Sequence, residues 1–182
     1  MRQPFNLRPE LTLIPIEKLL IPLDSRDELP AILAGLQWLW THATLKAAAL
    51  QLLTQKVLAN KQMTGRPGLD LWQILVLGVV RLGLDANYDR LEDLANFHTL
   101  LRQMLGLTQD PWASPAKRFH HQTLRDNVCL VDAALLHQLN ALVAQAGREV
   151  FRVSQSSAPV PLAVKVDTYV LETDVHFPTD LN

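Results

Sequence analysis

Acidic residues near the end of the chain have the residue types of a metal site. Asp167 directly follows Val164-Lys165-Val166, a segment whose β-branched residues predict a strand. A carboxylate at the end of a buried strand is costly unless it binds a metal or accepts hydrogen bonds, and Mg²⁺ prefers oxygen ligands. An aspartate in a turn bonds instead to the local backbone. From the residue types alone the turn is the favoured role for Asp167, with metal binding as the alternative.

A second acidic group follows a few residues later. Its members are Asp174, His176 and Asp180. An Asp-x-His pair with another acid nearby could ligate a transition metal, but Pro178-Thr179-Asp180 equally suits a turn closed by its aspartate. Because this spacing is common in turns, the turn is the favoured interpretation.

Basic side chains are concentrated in the middle of the chain. The whole chain has a net charge of −1, yet residues 43–130 hold ten basic and seven acidic residues, and residues 153–182 hold one basic and four acidic residues. A basic stretch suits contact with a polyanion, although ordinary variation in surface charge produces differences of this size. The residues expected to bind DNA are Lys61, Arg66, Arg81, Lys117, Arg118 and Arg125, and Arg90 and Arg102 are further basic residues of the same stretch.

Apolar periodicity predicts that helices position these basic residues. Helices are expected near 70–83, 88–97 and 99–106. The first is apolar almost all round, which places it at the centre of a bundle. The three could form a helix-turn-helix-like unit, but three acidic residues on the second would repel phosphate and make it a poor recognition helix.

Capping signals predict where the helices begin. These signals are Ser25-Arg26-Asp27-Glu28, Asp70 with Gln73, and Thr123 with Asp126. The last signal predicts the start of one long helix, whose apolar stripe runs from Val128 to Ala146.

The chain divides into four segments by composition. Residues 1–24 contain four prolines and are expected to form an extended arm, and residues 25–153 form the helical domain. Residues 154–161 are a polar linker, and residues 162–182 hold two short strands. Since two strands alone do not make a stable sheet, the expected fold class is mainly α, followed by the opening of an incomplete second domain.

Several classes of protein are excluded by what the sequence lacks. The single cysteine, Cys129, excludes an internal disulfide framework. The longest apolar run, from Ile74 to Leu84, is far shorter than the ~20 residues of a membrane-spanning helix. The first residues do not have the pattern of a secretory signal. A cytoplasmic protein without a membrane partner is therefore expected.

Several motifs resemble the N-terminal part of bacterial insertion-sequence transposases that carry an Asp-Asp-Glu triad. The motifs are Gly65-Arg66-Pro67-Gly68, Tyr88-Asp89-Arg90-Leu91-Glu92-Asp93, Leu105-Gly106-Leu107, the segment 121–127 and the run VDTYVLETDVHFPTD from Val166 to Asp180. The last motif is similar to the segment around the first aspartate of that triad. The resemblance spans about residues 60–182.

The resemblance implies a role for Asp167. It places Asp167 on the first strand of an RNase H-like catalytic domain as the first metal-binding acid, with Glu172 and Asp180 as motif residues outside the triad. The family's second aspartate and its glutamate lie beyond residue 182. Two-metal catalysis needs several carboxylates, so Mg²⁺ or Mn²⁺ is expected only for the complete catalytic domain, and this chain alone is expected neither to cut nor to join DNA.

The expected function is therefore that of the N-terminal portion of a transposase, which binds the terminal inverted repeats of a transposon near the bacterial nucleoid. A non-catalytic helical module that forms a homodimer and regulates a full-length transposase is the alternative. A third possibility is a metal hydrolase that uses Asp167, Asp174 and His176.

Overall fold

A computed structural model describes residues 13–58, 68–107 and 118–154. These residues form a 3-10 turn at Ile16–Lys18 and the helices α1 (Glu28–Thr41), α2 (Ala43–Leu58), α3 (Leu71–Gly83), α4 (Tyr88–Phe97), α5 (Thr99–Met104), α6 (His121–Val128) and α7 (Ala133–Ser154). The prediction of a mainly helical bundle is confirmed for this part of the chain. The hairpin expected within 162–182 lies outside the described residues and stays a prediction.

Helix α3 forms the centre of the bundle. Every residue from Leu71 to Gly78 is buried, and α1, α2, α4 and α6 pack against this helix. At its start, Trp72 Nε1 donates to Met104 O at 2.9 Å and Gln73 Nε2 donates to Leu105 O at 3.0 Å. These bonds supply donors to two carbonyl oxygens at the end of α5, because the last carbonyls of a helix have no amide donor within that helix. The predicted central position of α3 is confirmed.

Helix α1 begins later than the capping pattern predicts. The N-cap is Asp27, whose Oδ1 accepts from Leu29 N at 3.2 Å, while Ser25 Oγ accepts from Asp27 N at 3.1 Å. The expected cap at Ser25 is therefore wrong. With Asp27 as the cap, Pro30 is the third helical residue, a position whose amide has no helical partner in any case. A start at Ser25 would place Pro30 beyond the first turn of the helix, where proline removes a helical hydrogen bond.

Residues 13–24 form a strap that packs against α1. Gln37 Nε2 donates to Ile16 O at 2.8 Å and to Leu19 O at 2.9 Å. The side chains of Ile16 and Leu19 are buried in the core. The described half of the predicted arm is therefore a docked segment with one 3-10 turn, while residues 1–12 lie outside the described residues.

The long helix predicted from Thr123 is two helices. Helix α6 begins at His121 and ends at Val128, and α7 starts after Asp132, whose Oδ1 accepts from Leu135 N at 2.9 Å. Val131 lies in the break and faces α3, since a Cβ built on Gly78 would be 3.1 Å from Val131 Cγ2. Packing on α3 and the cap at Asp132 therefore interrupt what the apolar stripe alone predicts as one helix.

Within the described residues, no single helix has the length and apolar character of a membrane span. Helix α6 and residues 133–149 of α7 meet those criteria only as a pair, and the pair is bent by 70°.

Candidate nucleic-acid interface

Helices α3, α4 and α6 pack against one another and carry basic and aromatic side chains toward solvent. We call the group the α3–α4–α6 surface. Its residues are Arg81, Tyr88, Arg118, His120, His121 and Arg125.

Arg81 and Tyr88 join the first two helices of this surface. Arg81 is in the last turn of α3, where a positive charge interacts favourably with the helix dipole. Its guanidinium carbon is 4.5 Å from the centre of the Tyr88 ring, a cation–π contact. Arg81 Nε is buried and makes no hydrogen bond within the described part of the chain. The predicted phosphate-binding residue Arg81 is thus half-buried and already packed on an aromatic ring.

Tyr88 also contacts α6. The ring of His121 meets the Tyr88 ring edge-on, with 5.8 Å between their centres. His121 Nε2 lies 3.7 Å from Asp89 Oδ1, so one of the acids of α4 faces a side chain that becomes positive on protonation. Tyr88 therefore connects Arg81 to His121 through two ring contacts.

Arg118 and His120 flank a buried anchor. Phe119 is 1% exposed, whereas both neighbours are exposed. Asn96 near the end of α4 bonds to both backbone polar groups of Phe119. Because Phe119 points inward, the two adjacent basic side chains point outward from an anchored backbone.

Arg125 continues the surface along α6. It follows His121 by four residues, so the two side chains share one side of the helix, and Arg125 is exposed. The described residues thus place Arg81 on α3 and Arg118 and Arg125 in and just before α6, a helix that packs against α3.

The remaining predicted site residues are outside the described part of the chain. These are Lys61, Arg66 and Lys117 of the basic set and Asp167, Asp174, His176 and Asp180 of the acidic groups. Within the described residues, no group of three or more His, Cys, Asp or Glu side chains could hold a metal ion.

Arg102 is a basic residue with a different role from the one its charge suggests. It is fully buried, and Nη1 donates to Ala95 O and Asn96 O, each at 3.4 Å. Both carbonyls belong to the end of α4, where helical partners are missing and the helix dipole favours a cation. Arg102 is therefore not available for a phosphate contact, because its guanidinium is buried and donates to carbonyls at the end of α4.

Helix α5 is also buried, which bears on the suggested helix-turn-helix unit. Its residues from Leu101 to Met104 have almost no exposed surface. A recognition helix must place side chains in the major groove, and α5 has only Thr99 fully at the surface. Within the described part of this surface, α5 is therefore buried, whereas Arg118, His120 and Arg125 are exposed.

Sequence reasoning missed Tyr88 and Asn96 as functional side chains, whereas His121 belongs to the basic and aromatic stretch 117–121 that the sequence places before a helix. Tyr88 stood only as part of a motif, and the role of Asn96 carries no local signal, because its partner Phe119 is 23 residues away. An aromatic residue beside basic ones could have pointed to Tyr88.

A separate apolar pocket of about 300 Å³ opens between α1 and α7. Its floor includes Leu75 and Val79 of α3, and its rim includes Trp38 and the partly exposed Val143. Neither Leu29–Thr41 of α1 nor Ala133–Gly147 of α7 contains Asp, Glu, Lys or Arg. The pocket walls therefore present an uncharged surface.

Comparisons of this chain with protein-family models, with curated proteins and with solved structures found no match.

Proposed function

We propose that the chain is the N-terminal portion of an Asp-Asp-Glu transposase that binds transposon-end DNA through the α3–α4–α6 surface. The observation that supports DNA binding is the placement of Arg81 on α3 and of Arg118 and Arg125 in and just before α6. These two helices pack against each other, and Tyr88 of α4 links them through its contacts with Arg81 and His121. The transposase assignment rests on the motifs from Gly65 to Asp180.

Phosphate contact is the chemistry that this surface supports best. Arginine presents several donors to a phosphate in a planar fork, and Arg118 and Arg125 are exposed. The backbone amides at the start of α6 add to the same electrostatic preference. Asp89, Glu92 and Asp93 of α4 and Asp126 of α6 oppose it. Two of these acids have partners, since Asp89 faces His121 and Asp126 Oδ1 accepts from Gln122 Nε2 at 2.7 Å. The surface therefore favours a polyanion through its arginines, and DNA is the polyanion that the motifs imply.

A salt titration tests DNA binding. Each phosphate contact contributes ~0.9 to the slope of log K against log salt concentration, whatever the DNA sequence. Arg118→Ala and Arg125→Ala should each lower that slope by about this amount on a random-sequence duplex. Arg148→Ala is the matched control, because Arg148 is an exposed arginine on α7, a helix that packs against α2.

The outcome of this titration separates the possibilities. A lower slope for both interface variants with an unchanged slope for Arg148→Ala supports the proposal. Equal slopes for all four proteins would remove the α3–α4–α6 surface from the DNA footprint.

The catalytic part of the proposal concerns Asp167. In the proposed full-length protein, Asp167 would supply the first carboxylate oxygen to Mg²⁺ or Mn²⁺, hard ions that take such ligands. Bound metal would stabilise the attacking and leaving oxygens of phosphoryl transfer. Asp167→Asn, made in a protein extended by the downstream catalytic residues, should abolish strand transfer and keep DNA binding. Metal-dependent cleavage by residues 1–182 alone, lost on Asp167→Asn, would contradict this assignment and favour a self-contained hydrolase.

The pocket between α1 and α7 supports a second candidate, a dimerising module without catalysis. Cores of protein interfaces are depleted in charged residues, and the described pocket walls have this character. Val143→Glu should then shift a dimer to monomer in sedimentation equilibrium, while Gln138→Glu, an exposed control on the same helix, should not. A monomeric wild-type chain at all concentrations would exclude this candidate.

A further inference from the structure

The side chain of Asn96 pairs with a single residue of a neighbouring segment. Asn96 Nδ2 donates to Phe119 O at 2.8 Å, and Phe119 N donates to Asn96 Oδ1 at 2.9 Å. A carboxamide carries a donor and an acceptor in one plane, so it bonds to both backbone groups as a neighbouring strand would. Asn96 is 5% exposed, which shields both bonds from water. We call this pair of bonds the Asn96–Phe119 clamp.

The clamp fixes the residues on either side of Phe119. His120 has an extended backbone, with φ −110° and ψ 146°, and successive side chains of an extended segment point in opposite directions. Phe119 is buried, so Arg118 and His120 are directed to solvent, as their exposure shows. Without the clamp, the buried amide and carbonyl of Phe119 would lose these partners, and the segment would lose its anchor to α4.

We propose that Asn96 is a positioning residue for DNA binding: through the clamp, it holds Arg118 and His120 in the orientation in which they meet phosphates. This inference rests on the proposed DNA-binding function. Its physical basis is position: once the segment is released from α4, the Arg118 side chain is no longer held where it meets a phosphate, and that one charge contact is lost. Asn96 itself does not contact the DNA.

The test compares Asn96→Ala with a matched buried asparagine. Asn127 is 6% exposed and its Nδ2 donates to Thr123 O within α6, so Asn127→Ala removes a similar side chain without touching the clamp. Asn96→Ser shortens the side chain, so that its single hydroxyl no longer reaches both backbone groups of Phe119, and it replaces the alanine variant if the latter fails to fold. All proteins are compared at a temperature at which their far-UV circular dichroism matches that of the wild type.

Two measurements are made on the full chain. The first is hydrogen exchange of the Phe119 amide without DNA, and the second is the salt slope of binding to a random-sequence duplex. Asn96→Ala should abolish the protection of the Phe119 amide and lower the slope by ~0.9, the value of one phosphate contact. Asn127→Ala should keep both at the wild-type value.

Each contrary outcome has a distinct meaning. Loss of Phe119 protection with an unchanged slope would overturn the positioning role while leaving the DNA-binding proposal standing. Unchanged protection of the Phe119 amide in Asn96→Ala would show that the clamp does not hold this segment. A wild-type chain whose binding does not depend on salt would overturn the proposed DNA-binding function and this inference with it.

Discussion

The guanidinium carbon of Arg81 on α3 is 4.5 Å from the centre of the Tyr88 ring on α4. This contact spans the turn between the two helices, where Asp85 has a positive φ of 45°. Arg81 therefore has two functions in the proposed interface. Its side chain packs two helices together, and under the proposed function its charge also attracts DNA, so its substitution should affect both stability and binding.

Arg81→Ala should lower the free energy of unfolding by about 1 kcal/mol, because a cation–π contact near the surface contributes roughly 0.5–1 kcal/mol and the aliphatic stem also loses packing. Urea denaturation measures this change. Tyr88→Phe keeps the ring and should leave the contact intact. In a double-mutant cycle, Tyr88→Leu should lower the free energy of unfolding by less in the Arg81→Ala background than in the wild type. Equal costs in the two backgrounds would show that the residues do not interact.

Asp132 joins α2 to α7 and should be more sensitive to alanine than to asparagine. Its side chain caps α7 through Leu135 N at 2.9 Å and forms an ion pair with Lys56 of α2. The hydrogen bond from Lys56 and the bond from the Leu135 backbone lower the pKa of Asp132 below its ordinary value. Asparagine is also a good N-cap, so Asp132→Asn should lose only the ion pair, while Asp132→Ala should lose both interactions.

Thermal unfolding ranks these Asp132 variants. The expected order of melting temperature is wild type, then Asp132→Asn, then Asp132→Ala. Lys56→Met removes the ion pair from the other side and should match Asp132→Asn. If Asp132→Asn were as unstable as Asp132→Ala, the cap would contribute nothing, and the packing of Val131 against α3 alone would account for the break between α6 and α7.

Local signals predicted the elements whose boundaries depend on nearby residues. The bounds of α4 match because apolar periodicity and the Asn87 cap, whose Oδ1 accepts from Arg90 N at 2.8 Å, act within one helix. The start of α1 was misplaced, because the backbone constraint of Pro30 outweighs the Ser25 pattern. The break after Val128 was missed, because it depends on the packing of Val131 against Gly78 of α3.

In the candidate site, too, the sequence predicted what depends on nearby residues and missed what depends on packing between distant ones. Charge and spacing pointed to Arg118 and Arg125, which the structure exposes. Arg102 has the same charge, yet burial directs it to the end of α4. Sequence alone could not separate these arginines, because the difference lies in which side of each helix meets the core. The Asn96–Phe119 clamp joins distant residues, and no local pattern encodes it.

Two exposed helical glycines should become stabilising sites when replaced by alanine. Gly35 in α1 and Gly147 in α7 have no neighbouring atom within 4 Å of a built Cβ. Glycine in a helix interior is less favourable than alanine by roughly 0.5–1 kcal/mol, so Gly35→Ala and Gly147→Ala should each raise the free energy of unfolding by about that amount. Urea denaturation measures the gain. Gly78→Leu is the contrast, because Val131 leaves no room beside Gly78, and this variant should be less stable than the wild type.

His98 should make the bundle less stable as the pH falls. It is the N-cap of α5, and its Nδ1 accepts from Leu101 N at 3.3 Å, which requires that Nδ1 carry no proton. Partial burial lowers the pKa of His98 below its ordinary 6.5, and attraction by Asp27 offsets this only in part. The unfolded chain therefore takes up the proton at a higher pH than the folded chain does.

The direction of the pH effect follows from this difference. Above the unfolded pKa, His98 is neutral in both states and its cap contributes fully. As the pH falls below 6.5 toward the lower pKa of the folded state, the unfolded state binds more protons, so the free energy of unfolding decreases. Protonation also places a positive charge at the positive end of α5 and removes the acceptor for Leu101 N.

Urea denaturation between about pH 8 and about pH 5, on either side of the ordinary histidine pKa, measures the decrease in the free energy of unfolding. His98→Asn keeps an N-cap side chain that does not titrate, so its stability should fall less than that of the wild type over the same range. Other ionisable groups titrate in both proteins, and the difference between the two curves isolates His98. His137→Asn, at an exposed position of α7, is the matched histidine substitution outside the α5 cap, and both variants are compared with the wild-type curve. If His98→Asn followed the wild-type curve, the acid sensitivity would come from other groups, and the cap of α5 would not depend on the protonation of His98.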